Sequence, residues 1–220
     1  MKWVNIMQRK LTVAILTGIL SIGVSAHAES PITYKNQQAA LATLKIADES
    51  RAGYVRDKFK HWTSAGNGCD SRKAVIISEA IVKPTVEKGC VIKGGEWLSI
   101  YDNVKVTEAG KLDVDHMVPL AEAWDSGASA WTPEKREMYA NDMTDPRHLI
   151  AVTGASNRQK SDRDPSEWVP SNKAYLCEYL TNWVSIKVRW GLTVDKLEYA
   201  TLSTNLKSCK TTKITINPVK

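Results

Sequence analysis

Leu112-Asp113-Val114-Asp115-His116-Met117-Val118-Pro119-Leu120 opens the stretch that decides the fold. His148-Leu149-Ile150-Ala151-Val152 and Gly154-Ala155-Ser156-Asn157-Arg158-Gln159-Lys160-Ser161-Asp162 complete it. Leu112 to His116 alternates apolar and polar residues, the period of a half-buried strand, and Pro119 ends the run. Thr132-Pro133 supplies a cap and a residue preset for a first helical turn, which predicts a helix over Glu134 to Ala140. His148 to Val152 is a short apolar run and predicts a second, buried strand. The segment from Gly154 to Asp162 has the length of a short helix but almost no apolar face. Something other than apolar burial must order it, and a metal ion is one such cause.

Downstream, Asp164-Pro165-Ser166-Glu167 reads as a capping box with Pro at the first helical position, so Asp164 and Glu167 are assigned to starting a helix. Tyr175, Leu176, Tyr179, Leu180, Trp183, Ile186 and Trp190 recur at helical spacing until Gly191 stops them. Thr193 is placed to cap a second helix carrying Val194, Leu197, Leu202 and Leu206. So short a connection predicts antiparallel packing over about 172–209. Cys177 then lies about 21 Å from the turn along one helix and Cys209 about 25 Å along the other. That geometry pairs Cys177 with Cys209 and leaves Cys69 for Cys90. Upstream, residues 29–37 read as a loose leader into the fold, and Gln38 to Ala47 has helical character. Gly66 and Gly68 mark a turn before the apolar run Ala74 to Ile77. Val91-Ile92 and Trp97 to Tyr101 flank Gly94-Gly95 and read as a hairpin. With no Pro/Gly/Ser-rich linker, residues 29–220 are expected to form one α+β domain.

The chain has 220 residues, 43% hydrophobic and 25% charged, which excludes disordered, collagen-like and multi-span membrane classes. Residues 1–28 resemble a secretory signal: Lys2, Arg9 and Lys10, a 14-residue apolar stretch from Leu11 to Val24, then Ala26-His27-Ala28 as a small-x-small cleavage site. That stretch is short of the roughly 20 apolar residues of a membrane anchor. The expected product starts near Glu29, is secreted or periplasmic, and has no stable membrane association. Removing the leader's three cations from the 30 basic residues leaves 27 against 24 acidic, too small a surplus to argue nucleic-acid binding alone. The four cysteines all lie in the mature part, and no CxxC pair points to zinc or redox chemistry.

The chemical residues on this frame are Asp113-Val114-Asp115-His116-Met117-Val118-Pro119-Leu120, Asn141-Asp142, Asp145-Pro146, His148-Leu149-Ile150-Ala151-Val152, Ser156-Asn157-Arg158 with Lys160, and Asp162-Arg163-Asp164-Pro165-Ser166-Glu167-Trp168. Together they resemble the HNH endonucleases (ββα-metal, or His-Me finger), and more closely the secreted HNH family related to the C-terminal domain of GmrSD-type restriction enzymes. The D-x-D-H-x-V-P and N-R-x-K elements are also similar to the HNH domain of CRISPR-associated nucleases. The likeness extends from about Leu41 to Cys209, including Gly53-Tyr54, Trp62, Trp97 and both cysteine pairs. It implies a ββα-metal core over about 111–163, embedded among helices and fastened by two disulfides. Many HNH proteins carry a final His in the helix as second metal ligand. This chain has none there, and Asn157 takes that place.

The resemblance implies hydrolysis of DNA, with RNA open as a second substrate, leaving 5′-phosphate and 3′-hydroxyl ends. His116, with an ordinary pKa near 6.5, suits the general base. Asp115 and Asn157 offer hard oxygen ligands for Mg²⁺, or another divalent cation such as Mn²⁺. As strand neighbours, Asp115 and His116 point to opposite sides. Arg158 and Lys160 are assigned to phosphate oxygens. His148 reads as a structural or substrate-side residue rather than a ligand. Asp113 either supports the site from behind or faces solvent, and both readings stand. Trp124, Trp131 and Trp168 are read as core; Lys207, Lys210 and Lys213 read as a solvated basic edge, with a phosphate track as the alternative. Two rival classes remain: a non-catalytic nucleic-acid-binding or uptake protein, and a different secreted hydrolase. The absence of HExxH, GxSxG and P-loop motifs lowers the second. Nothing in the sequence specifies an inhibitor protein.

Overall fold

The computed structural model describes residues 30–219. The leader expected over residues 1–28 and the cut beside Glu29 lie outside the described residues. Ile32–Tyr34 forms β1 and pairs antiparallel with Ile214–Ile216. The Thr33 and Thr215 hydroxyls meet across the pair at 2.9 Å although 182 residues separate them. The loose leader expected at residues 29–37 is therefore partly strand, and its partner was too remote for any local pattern to show. α1 covers only Gln37–Leu41, with Asn36 Oδ1 accepting from the Ala39 amide. The longer helix expected to Ala47 does not form: Val194 donates to the Lys45 carbonyl and accepts from the Ala47 amide, holding that segment extended.

Ser64–Gly66 (β2) and Cys69–Asp70 (β3) form a hairpin that leads into α2, Ser71–Ser78. Next come two separate hairpins, β4 (Thr85–Glu87) with β5 (Val91–Lys93), and β6 (Trp97–Ser99) with β7 (Val104–Val106). The single hairpin expected from Val91-Ile92 and Trp97–Tyr101 is thus corrected. Gly94 and Gly95, at φ +65° and +95°, connect two ribbons rather than turn one.

The deciding stretch folds as its periodicity requires. β8 (Leu112–His116) leads through Pro119 into α3 (Leu120–Asp125). α4 (Pro133–Ala140) follows, with the Thr132 hydroxyl accepting from the Lys135 amide. β9 (Leu149–Thr153) returns antiparallel to β8 in the register His116↔Leu149 and Asp113↔Val152, and α5 (Gly154–Lys160) follows at once. The ribbon is buried on both faces. Leu112, Val114, Leu149 and Ala151 pack with Val75, Ile76 and Trp97, whereas Ile150 and Val152 join the larger core around Tyr179, Trp183 and Trp190.

α6 (Leu176–Trp190) ends at Gly191 in the left-handed region, φ +64°. α7 (Lys196–Leu206) is capped by Asp195, not Thr193, and β10 (Ile214–Ile216) closes on β1. Thr193 is engaged elsewhere: its amide and hydroxyl both donate to the Ser126 carbonyl. The helix expected at Asp164-Pro165-Ser166-Glu167 is a single turn, with the Glu167 and Trp168 amides both on the Asp164 carbonyl. Pro170 holds Val169 out of helical conformation, which stops it.

The fold is α+β with both expected disulfides, Cys69–Cys90 and Cys177–Cys209, at Cα separations of 5.0 and 5.6 Å. Each closes a loop, of 21 and 32 residues respectively, which corresponds to about 3 to 4 kcal/mol of unfolded-chain entropy. The Cys177→Ser/Cys209→Ser double variant is therefore expected to unfold in urea with about 3 to 4 kcal/mol less stability. An unchanged midpoint would contradict that.

Candidate active site

β8 delivers two neighbouring side chains to one cavity. This cavity, about 380 Å³, is lined by Tyr54, Arg56, Val114, Asp115, His116, Pro119, Ala121, Asn157, Arg158, Ser161 and Asp162. It therefore collects the strand's end, the end of α5 and a loop some 60 residues upstream.

His116 is 4% exposed and tightly framed. Trp62 stacks on its ring at 5.3 Å and 29°, and Tyr139 lies nearly parallel at 6.4 Å on the same imidazole. His148 meets it edge-on at 6.0 Å. Nε2 lies 2.9 Å from the Ala140 carbonyl at the end of α4. A carbonyl only accepts, so Nε2 carries the proton and Nδ1 keeps its lone pair, with no hydrogen bond to any described residue. Burial, then the adjoining His148 ring, holds His116 well below the ordinary imidazole range, so the ring is a neutral base. His148 is fully buried, neither nitrogen has a partner, and burial lowers it to about 4. It is a packing residue for His116 and Tyr139, not a group facing the cavity.

Asp115 is 5% exposed. Its Oδ2 accepts from the Tyr101 hydroxyl at 2.6 Å and from Lys160 Nζ at 2.6 Å, which leaves Oδ1 without a hydrogen-bond partner among the described residues. Burial pushes the carboxyl up and the ammonium down, and their direct contact opposes both shifts. Lys160 itself is 0% exposed, with Nζ also donating to the His116 carbonyl and lying 5.8 Å from the Trp183 ring centroid. The role expected of Lys160, meeting phosphate oxygens, does not fit this burial. Its fixed distance behind Asp115 makes it a counter-charge to the carboxylate.

Asn157 Nδ2 donates to Asp113 Oδ2 at 3.3 Å, so its amide oxygen is the atom left free. Asp113 thus holds the Asn157 amide while its side chain stays 36% exposed, so the two readings of it meet in one residue. Arg158 is exposed, its NH1 3.8 Å from Asp113. The expectation that Asp115 and His116 separate to opposite sides holds for the strand, yet both reach the same cavity because the strand ends there.

The polar helix α5 has causes of order within the protein. Asp102 Oδ2 accepts from the Thr153 and Ser156 hydroxyls at 2.5 and 2.7 Å, and Lys160 is drawn inward onto Asp115. At Gly154 an added Cβ would sit 3.2 Å from Asp113 Oδ2 and 2.8 Å from the Arg158 guanidinium, so the helix start lies close under these two side-chain tips, which would have to move aside for a larger residue.

Tyr101 and Trp62 were missed as site residues. Trp62 stands at φ +58°, rare for a bulky residue, and Asn141 holds its flanks by accepting from the Thr63 amide and donating to the Lys60 carbonyl. Nothing local in the sequence marks Tyr101 as a partner of Asp115, 14 residues on. Lys207, Lys210 and Lys213 are exposed and do not line this cavity. Trp124 is buried, and Trp131 and Trp168 pack against the larger core, as expected.

Asp115 Oδ1 and the Asn157 amide oxygen are unpaired hard donors in one cavity, and that set fits a divalent cation such as Mg²⁺.

The profile of the family described as "GmrSD restriction endonucleases, C-terminal domain" matches residues 79–204. A protein of Arthroderma benhamiae, described as "Uncharacterized secreted protein", is 34% identical over 200 residues, covering 89% of this chain and 97% of its own length. No solved structure matches the chain. Among the described residues no helix is long and apolar enough to cross a membrane.

Proposed function

The chain belongs to the family of the GmrSD restriction endonuclease C-terminal domain, and from that premise we propose that it is a secreted, metal-dependent HNH endonuclease that hydrolyses DNA phosphodiester bonds with low sequence preference. In this reading β8, β9 and α5 are the ββα-metal finger. Secretion is supported by the description of the fungal relative and by the leader-like residues 1–28.

The carrying observation is the tautomer of His116: Nε2 is committed to the Ala140 carbonyl, which leaves Nδ1 as a bare base in a cavity shared with Asp115 and Asn157. Water attacks phosphorus, its proton passes to Nδ1, the bond from phosphorus to the 3′-oxygen breaks, and that oxygen leaves with a solvent proton as the 3′-hydroxyl. Asp115 Oδ1 and the Asn157 amide oxygen would hold Mg²⁺, which as a Lewis acid supplies stabilisation of the negative charge on the phosphate and leaving oxygen. Tyr101 and Lys160 fix the carboxylate, and Asp113 fixes which end of the Asn157 amide faces the cavity. Arg158 offers its guanidinium to a phosphate oxygen. Contacts of this kind read backbone rather than bases.

The test is digestion of supercoiled plasmid, with an RNA substrate in parallel, in Mg²⁺ and in excess EDTA. Cleavage in Mg²⁺ that EDTA abolishes is expected. Equal cleavage in both removes the metal role given to Asp115 and Asn157.

A further inference from the structure

Arg56 lines the cavity that holds His116, Asp115 and Asn157, and its charge acts on the ionisation of both His116 and Tyr54. Among the described residues, Arg51, Arg72, Arg147, Arg158 and Arg189 each have a carboxylate within 4 Å. Arg136 and Arg163 have none but donate to backbone carbonyls, whereas the exposed Arg56 side chain has neither a carboxylate nor a carbonyl and only the Tyr54 hydroxyl as a polar neighbour. Its backbone is nevertheless held firmly. Arg51 bonds Asp125 at 2.6 Å and Asp162 at 2.5 Å at one end of the loop, and Phe59 is wholly buried at the other. Between them, Trp124 Nε1 donates to the Ala52 carbonyl, Lys58 Nζ donates to the Gly53 carbonyl while lying 4.6 Å above the Trp124 ring, and Arg136 Nε donates to the Lys58 carbonyl. A short 3-10 turn, Arg56–Lys58, fixes the position itself.

That anchoring fixes where the exposed Arg56 guanidinium, with no carboxylate beside it, meets the cavity, which is the placement of a cation held ready for an anion. We propose that Arg56 is a phosphate-binding residue of the site, gripping a non-bridging oxygen of the nucleic-acid backbone in the cavity that Arg158 also lines. It supplies the second cation that the sequence pattern assigned to Lys160, which the fold buries. The inference rests on the nuclease reading above.

The experiment compares the mature wild-type protein with Arg56→Ala, Arg56→Lys and Lys35→Ala, the last removing an exposed charge in the β1–α1 turn. Binding of a fluorescent DNA duplex is measured by anisotropy in EDTA at several salt concentrations, and cleavage separately in Mg²⁺. Losing one phosphate contact should make the log affinity against log salt slope shallower by about one in Arg56→Ala. kcat/KM should fall about 10- to 100-fold. Arg56→Lys should keep the slope, because the charge remains, and recover part of the rate; Lys35→Ala should match wild type. An unchanged slope in Arg56→Ala overturns the proposal, whatever the cleavage result. A shallower slope in a protein that cleaves nothing leaves the phosphate site standing and removes the nuclease reading instead.

Discussion

Replacing His116 by alanine is expected to lower kcat for plasmid cleavage by about 10²- to 10⁴-fold, the range for losing a positioned general base. The size follows from the frame around the ring. Trp62, Tyr139 and the Ala140 carbonyl admit one tautomer in one orientation, so no neighbouring group can take over. His148 is the nearest other imidazole, but it is sealed in the core and does not line this cavity. DNA binding should persist, since the proposed phosphate contacts are made by Arg158 and Arg56. Because a truncated side chain leaves a gap between two aromatic rings, His116→Asn serves as a second variant whose folding is checked by its melting curve. A folded variant that cleaves within threefold of wild type would end the general-base assignment.

The second large effect concerns stability. Lys187 is fully buried, and its ammonium donates to Glu122 at 2.7 Å, Glu198 at 2.6 Å, the Ser126 hydroxyl and the Thr193 carbonyl. It joins α6, α3, α7 and the turn between the last two helices. Lys187→Met fills similar volume but leaves two buried carboxylates without their cation, and should cost about 3 to 5 kcal/mol at neutral pH in urea unfolding. The loss should depend on pH. Burial, with the Glu122 charge also raising it, pushes Glu198 up to about 7. A carboxyl raised on folding contributes stability that is full below its ordinary pKa near 4.5 and is lost as pH rises through about 7. Without Lys187, protonation of Glu198 is the remaining relief, so the variant should lie nearer to wild type at pH 5 than at pH 8. A loss under about 1 kcal/mol, equal at both pH values, would show that the cluster is not energetically coupled.

Trp183 links this network to the site. Lys187 and Lys160 lie 5.7 and 5.8 Å from its ring centroid, and its Nε1 donates to Glu198. The lysine behind the cavity's carboxylate and the ion cluster that joins the helices therefore share one aromatic wall.

The deciding strands, both long C-terminal helices and the disulfide pairing were legible because each is written in short-range terms: alternation, helical spacing, a stopping glycine, the reach of two antiparallel helices. The readings that failed share the opposite property. β1 depends on a strand at the far end of the chain, and Thr193 is taken from its cap by Ser126. The turn at Asp164–Glu167 had its capping residues but no room before Pro170.

At the site the division is the same. The sequence by itself singled out Asp115, His116 and Asn157 as the candidate residues, because a family motif and a strand–strand–helix pattern are local. Tertiary structure alone decided their states. It committed Nε2 of His116 to a carbonyl 24 residues away, turned Lys160 inward onto Asp115, and brought Arg56 from an upstream loop to the cavity. Protonation, burial and the supply of a free cation depend on what packs against a side chain, and chain spacing carries no record of that.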